Sequence, residues 1–255
     1  MAKGFPGADS SDPVSASAGG QSMIELATGV FGQAPLFWGR YFTSPTTGGT
    51  VEYNHLDENN ILAKNNIKLL PIARQTTHVA GSSAQGSSDA TDNVDDLIQT
   101  LGINFLVSQG NQFLMFLDVE GSSDTEPSLS VAYYEGWAQT LVEHSKDSTN
   151  GRVTILPCVY GRQGDTTTWN ALTTAAQHGI QCSGAWVARY FFEGCEMPEW
   201  DDQIVMPAVS LPCSVLLWQY QENCARGMID ANQTNPNVDI KTLFLSKLVV
   251  PPMIA

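Results

Sequence analysis

Apolar residues along this chain recur in two rhythms: short unbroken runs, and longer segments in which they return every three or four positions. The clearest run is Phe113-Leu114-Met115-Phe116-Leu117, which leads directly into Asp118-Val119-Glu120-Gly121. A continuous run of this length, bounded by polar residues, predicts a strand buried on both faces, here Phe113 to Glu120. Similar runs predict strands over Phe5 to Asp9, Leu36 to Phe42, Lys68 to Arg74, Val153 to Gly161, Gly184 to Phe191 and Val215 to Gln221. Ile204 to Val209 completes a set of eight. Pro71 sits awkwardly in its strand, because proline has no N–H to offer a central ladder.

The helical rhythm fills the gaps. Met23 to Val30 and His55 to Asn66 predict helices, the second with Leu56, Ile61 and Leu62 inward. Ala90, Val94, Leu97, Ile98 and Leu101 predict another, stopped by Gly102. Leu129, Tyr133, Trp137 and Leu141 return every fourth position in a helix ending near His144. Trp169, Leu172, Ala175 and Ala176 mark the next, which stops at Gly179. Ser44 to Gly49 is a turn cluster, and the Gly/Ser-rich stretch Thr76 to Ser88 predicts a mobile loop. Strands spaced by about 30 to 40 residues with helices between them are the βαβ rhythm of a parallel sheet. The expected fold is therefore an α/β, single-domain (β/α)8-type barrel over residues 1–255, irregular in its last units. A doubly wound open sheet is the alternative, but no Gly-x-Gly-x-x-Gly follows the first strand.

Charge narrows the partners. With 26 acidic against 12 basic residues, the formal net charge is −14. Such a surface repels nucleic-acid phosphates and anionic membranes, so no nucleic acid is expected as a partner. The opening Met1 to Gly7 has no apolar leader, and no run approaches the ~20 apolar residues of a membrane span. The expectation is a soluble chain with no membrane insertion and no visible signal peptide. The five cysteines (Cys158, Cys182, Cys195, Cys213 and Cys224) contain no Cys-x-x-Cys pair. An odd count in a chain with a large core favours buried free thiols over one or two disulfides.

The candidate chemistry lies at strand ends. Side chains alternate along a strand, so Asp118 and Glu120 point to the same side. Two like charges beside a buried strand push their pKa values apart, yielding one acid and one base; the competing reading is a pair of solvated loop carboxylates. Asp9, Arg40, Arg74, Tyr160, Arg189 and Gln219 end other strands, and barrel sites assemble at the C-terminal strand ends. Trp186, Trp218, Tyr160 and Tyr190 are candidates for stacking on sugar faces, or else for filling the barrel interior. None of His55, His78, His144 and His178 pairs with another at ligand-like spacing, and no nucleophile elbow, P-loop or zinc-protease motif occurs. Carboxylate chemistry is what remains, and glycoside hydrolysis is its main form.

Gly7-Ala8-Asp9-Ser10-Ser11, Leu117-Asp118-Val119-Glu120, Ala185-Trp186-Val187-Ala188-Arg189-Tyr190, Trp218-Gln219-Tyr220 and Ile229-Asp230-Ala231-Asn232 occur in this order. In that order the chain resembles glycoside hydrolase family 25, lysozymes that cut the β-1,4 bond after N-acetylmuramic acid in peptidoglycan. It also resembles related glycoside-hydrolase-like domains of uncharacterised function, which carry a comparable Arg-Tyr, as at Arg40-Tyr41. The resemblance implies an irregular barrel with Glu120 as general acid and Asp118 as its charged partner. It further implies that Asp9 and Asp230 line the cleft from the first and last loops. No cofactor and no metal are expected. The substrate-facing candidates are Arg40, Arg74, Tyr160, Trp186, Arg189, Tyr190 and Gln219. The opening departs from the family pattern, lacking Asp-Val-Ser and the following Gln-Gly. The rim arginines Arg40, Arg74 and Arg189 point to a different or more anionic glycan.

Three functions are thus in play. The first is hydrolysis of peptidoglycan or a related polysaccharide, which would place the protein's action outside the cytoplasm. The second is non-catalytic glycan binding on the same barrel. The third is metal-assisted phosphodiester hydrolysis, disfavoured by the lack of well-placed histidines.

Overall fold

The computed structural model describes residues 2–43, 51–121 and 126–254. The predicted turn cluster Ser44 to Gly49 lies outside them. β1 (Pro6–Asp9) is followed by a small hairpin, β2 (Ser17–Ala18) and β3 (Gln21–Ser22), and by α1 (Met23–Phe31). Ser22 caps α1 and Glu25 answers its backbone N–H, a reciprocal cap that fixes where the helix starts. Strand and helix then alternate through β4 (Phe37–Phe42), α2 (His55–Lys64), β5 (Lys68–Ala73), α3 (Ser83–Leu101), α4 (Ile103–Gln109) and β6 (Gln112–Val119). α5 (Val131–Ser148), β7 (Thr154–Arg162), α6 (Thr166–Gln177) and β8 (Ala185–Ala188) continue the pattern. Beyond β8 it breaks. α7 (Asp202–Val205) is a single turn, followed by β9 (Val215–Asn223), α8 (Cys224–Gly227), β10 (Ile229–Thr234) and α9 (Ile240–Leu243).

Eight of these strands close into a barrel in the order β1-β10-β9-β8-β7-β6-β5-β4. The predicted (β/α)8-type barrel with irregular last units is what the chain forms. Every neighbouring pair is parallel except the two that flank β10, which runs antiparallel to β9 and to β1.

β6 shows how the pattern builds two cores. Leu114 and Phe116 face the barrel axis with Leu70, Ile72, Cys158 and Trp186, and Phe244 closes the floor 5.1 Å from the Phe37 ring. Phe113, Met115, Leu117 and Val119 face outward into the layer shared with Val94, Leu97 and Trp137. Burial on both faces is why β6 reads as an unbroken apolar run. Each such side chain contributes roughly 1.5–3 kcal/mol.

Several expectations change. Thr76 to Ser88 is not a loop throughout: Ser82 caps α3, which begins at Ser83. Gly86 and Gly136 let α3 and α5 touch backbone to backbone, since a Cβ on Gly86 would lie 2.2 Å from the Tyr133 carbonyl oxygen. Periodicity misses this part of α3 because small residues, not large apolar ones, make the contact. Ile204 to Val209 forms no strand; α7 occupies its start. The eighth stave is instead β10, whose Ile229-Asp230-Ala231-Asn232-Gln233-Thr234 carries too few apolar residues to read as buried. Asp230 therefore sits on a strand rather than in a last loop. Pro71 is accommodated: β5 pairs with β4 along its whole length but with β6 only at Ile72 and Ala73, beyond the missing N–H. Cys195 and Cys224 form a disulfide, while Cys158, Cys182 and Cys213 are free thiols, so the all-thiol expectation is corrected. No helix among the described residues is long and apolar enough to cross a membrane.

Candidate active site

Asp9 ends β1, Asp118 lies near the end of β6, Glu120 is one residue beyond it, and Asp230 is the second residue of the antiparallel β10. Because β10 runs the opposite way, its first residues meet the last residues of β1, and Asp9 pairs with Asp230. The four carboxylates converge on one pocket, completed by Tyr41, Ile72, Tyr160, Trp186 and Gln219. The cavity they enclose is about 30 Å³, room for a water-sized group. A larger cavity of about 680 Å³ opens at the other end of the barrel, beside Gln112 and Thr154. No carboxylate cluster lines it, and that end of a barrel ordinarily serves stability.

Alternation decides who faces the pocket. On β4, Gly39 and Tyr41 point inward; a Cβ on Gly39 would lie 2.8 Å from the Asp9 Cβ, so only glycine leaves Asp9 its space. Arg40 between them points outward and is fully buried. Its Nε donates to Glu58 Oε2 at 2.8 Å and its two Nη atoms donate to the Ser10 and Val51 carbonyls, each at 2.7 Å. Arg40 is thus a buried tie between barrel and α2, and its expected contact with substrate is corrected. The strand-end rule placed it near the rim, but the period of two turned it away.

Hydrogen bonds fix the inner carboxylates. Asp9 Oδ1 accepts from Asn232 Nδ2 at 2.7 Å, and Asn232 Oδ1 accepts from the Trp186 indole at 2.9 Å. Gln219 is the hub: its Nε2 donates to Asp230 Oδ2 at 3.2 Å and lies 3.5 Å from Asp9 Oδ1. Its Oε1 accepts from the Tyr160 hydroxyl at 2.5 Å and the Tyr190 hydroxyl at 2.9 Å. Asp230 Oδ1 accepts from the Asn223 backbone N–H at 2.8 Å. Asn223 opens a turn in which Ala225 and Arg226 also hold left-handed backbone, at φ +50 and +68. Asp118 is 3% exposed, and its Oδ2 finds no hydrogen-bond partner among the described residues.

This geometry shifts all four carboxyls upward. Burial raises Asp9 well above the ordinary range, reinforced by the charge of Asp230 and opposed by the Asn232 bond. Burial likewise raises Asp118, with Glu120 adding repulsion and Arg74 opposing. Glu120 is raised by burial and then by Glu126, against the pull of Arg162 and Arg74. Asp230 is pushed up to about 6 by burial. Such a cluster keeps protons where surface carboxylates have lost theirs, and its members titrate together. Glu120 is also within reach of solvent, its side chain 25% exposed. Arg162 holds it from the rim: Nε donates to the Glu120 carbonyl at 3.0 Å and Nη2 lies 3.7 Å from Oε2.

Of the other candidates, Tyr160 and Trp186 lie inside the barrel, their rings 4.9 Å apart. Trp218 is buried in the outer layer. Gln219 is almost fully buried, with its amide engaged as described. Arg74 stands over the Tyr41 ring at 5.3 Å. Arg189 is exposed and, with Arg162 and Tyr190, lines an adjoining groove of about 310 Å³ that begins at Gly121. Tyr41, Asn232 and Arg162 were not among the predicted site residues. Tyr41 and Arg162 lie two positions beyond an inward residue (Gly39 and Tyr160), so alternation continued along β4 and β7 finds them; Asn232 lies on β10, a strand the apolar pattern does not reveal. No group of three or more His, Cys, Asp or Glu side chains among the described residues is placed to hold a metal ion.

No family model matches the chain, and no curated protein matches it in sequence. Solved structures do. An uncharacterized B. stearothermophilus protein matches with a TM-score of 0.68 at 20% identity, over 96% of this chain and 100% of that one. The muramidase from Acremonium alcalophilum matches with a TM-score of 0.52 at 15% identity, over 95% and 99%. The bacterial lysozyme from Streptomyces coelicolor matches with a TM-score of 0.51 at 15% identity, over 97% and 99%. At these identities the likeness is one of fold: the chain has a lysozyme-like barrel along nearly its whole length.

Proposed function

We propose that this protein is a glycoside hydrolase of the lysozyme type, cutting a β-1,4 bond in peptidoglycan or a related glycan, with Glu120 as general acid. The observation that carries this reading is the convergence of Asp9, Asp118, Glu120 and Asp230 at the C-terminal rim of the barrel. Within that set Glu120 combines a raised pKa with access to solvent, as a residue that protonates a leaving oxygen requires. Asp118, buried behind it and also raised, titrates together with Glu120; the form with Asp118 ionised and Glu120 protonated is the one that sets negative charge toward the sugar as positive charge develops in the transition state. Asn232 and Gln219 hold Asp9 and Asp230 in place, and Tyr190 and Arg189 face the adjoining groove, where the glycan continues.

The test is release of reducing ends from purified peptidoglycan by the native chain and by Glu120→Gln. Loss of general acid catalysis lowers the rate by about 10²–10⁴-fold, with the melting temperature retained. Unchanged release by the variant refutes the assignment. A second reading, glycan binding without cleavage, is favoured by the Arg162 guanidinium beside Glu120, which opposes its protonation. It predicts measurable sugar affinity with no product from either chain.

A further inference from the structure

The β8–β9 pair has the least regular crossover of the parallel pairs in the barrel wall. The connection between these strands runs from Arg189 to Ser214 with only the single-turn α7, where earlier parallel pairs are spanned by longer helices. The Cys195–Cys224 disulfide ties this region at the rim, since Cys195 follows β8 and Cys224 follows β9. The opposite end of the same two strands carries another pair of cysteines. Cys182 precedes β8 and Cys213 precedes β9, and their Sγ atoms lie 3.3 Å apart. The backbones there are already joined, because the Ala185 N–H donates to the Ser214 carbonyl at 3.0 Å and Ala185 pairs with Val215. Cys182 and Cys213 are both partly exposed, and Cys213 lines an open groove of about 410 Å³. Cys158, by contrast, is wholly buried in the barrel interior.

We propose that Cys182 and Cys213 are an oxidation site that closes to a second disulfide, so that the β8–β9 pair is clamped at both ends. The oxidant is a small-molecule disulfide. Cys182 is the attacking thiol: the hydrogen bond from the Cys213 S–H lowers its pKa. Its thiolate attacks one sulfur of the oxidant, breaking that S–S bond and releasing one thiol while a mixed disulfide forms on Cys182. Cys213 then loses its proton and attacks the Cys182 sulfur, releasing the second small thiol. Two protein thiols become one disulfide, and one oxidant disulfide becomes two thiols. A chain that already carries Cys195–Cys224 is one whose thiols meet such oxidants.

The test uses the full chain with Cys195–Cys224 intact, incubated with oxidised glutathione, then unfolded in iodoacetamide and analysed by intact mass and peptide mapping. The expected product has a single alkylated cysteine, Cys158, and a cross-linked peptide joining Cys182 to Cys213. Its melting temperature exceeds that of the untreated chain by about 5–10 °C. In Cys213→Ser the resolving thiol is gone, and a glutathione adduct persists on Cys182. Three alkylated cysteines after treatment, stable glutathione adducts in the native chain, or a cross-link to Cys158 overturns the proposal.

Discussion

Asp230→Asn provides a test of the site's electrostatics that does not depend on knowing the substrate. Burial holds the Asp230 carboxyl at about 6, against 3.8 for an ordinary aspartate. One pKa unit corresponds to about 1.4 kcal/mol, so the ionised carboxylate weakens the fold by at most about 3 kcal/mol. The pH window follows from the same two values. Below about pH 4 both folded and unfolded chains hold the proton and there is no penalty. Between about pH 4 and 6 the unfolded chain releases its proton first, so stability falls as pH rises; above about 6 the penalty is constant. Asparagine removes the titration but presents an amide where Asn223 N–H and Gln219 Nε2 both donate to the carboxylate, at 2.8 and 3.2 Å. One donor then faces an N–H₂ group, which costs about 1 kcal/mol. Asp230→Asn should therefore be less stable than the native chain by about 1 kcal/mol near pH 4, and more stable by about 2 kcal/mol near pH 7.5. Urea unfolding followed by tryptophan fluorescence at the two pH values measures both differences. A stability difference of the same sign and size at both pH values would refute the argument that burial raises this carboxyl.

The remaining predictions concern the rim, the buried ion pair and the helix contact. Arg162→Gln removes a positive charge that holds the Glu120 carboxyl down, so the alkaline limb of the pH–rate profile for glycan cleavage should move to higher pH; a limb that stays put or moves down contradicts the role of Glu120 as acid. Arg40→Met leaves the buried Glu58 carboxylate, among the described residues, with the Val14 and Asn54 backbone N–H donors and should destabilise the fold by about 3–5 kcal/mol in chemical denaturation. The KM of the folded variant should not change, because Arg40 faces away from the pocket. Gly86→Ala forces α3 from α5 and should cost about 1–3 kcal/mol, read as a lowered urea midpoint with an unchanged slope.

Much of this molecule was legible as a one-dimensional pattern. The run Phe113 to Leu117 with Asp118 and Glu120 after it specifies β6, its burial on both faces and the shared direction of the two carboxylates, because alternation is a property of the strand itself. The repeated strand–helix spacing likewise specifies the parallel course of β1 and β4 to β8. The same local rule, had it been carried through β4, would have turned Arg40 outward and Tyr41 inward, since that too depends only on period two.

Other features exist only once the chain has closed on itself. β10 is polar where a stave was expected to be apolar, because its inward residues meet Asp9, Gln219 and Trp186 rather than packed hydrocarbon. Its antiparallel course is what brings Asp230 beside Asp9, residues at opposite ends of the chain. The start of α3 and the Cys195–Cys224 pairing depend in the same way on a partner distant in sequence. The residue types with chemical potential, and the face each takes within its own strand, are set by local covalent geometry and so belong to the sequence alone. Which of them share one pocket, how far their pKa values rise, and which cysteines meet depend on distances between separate strands, and those only the closed barrel decides.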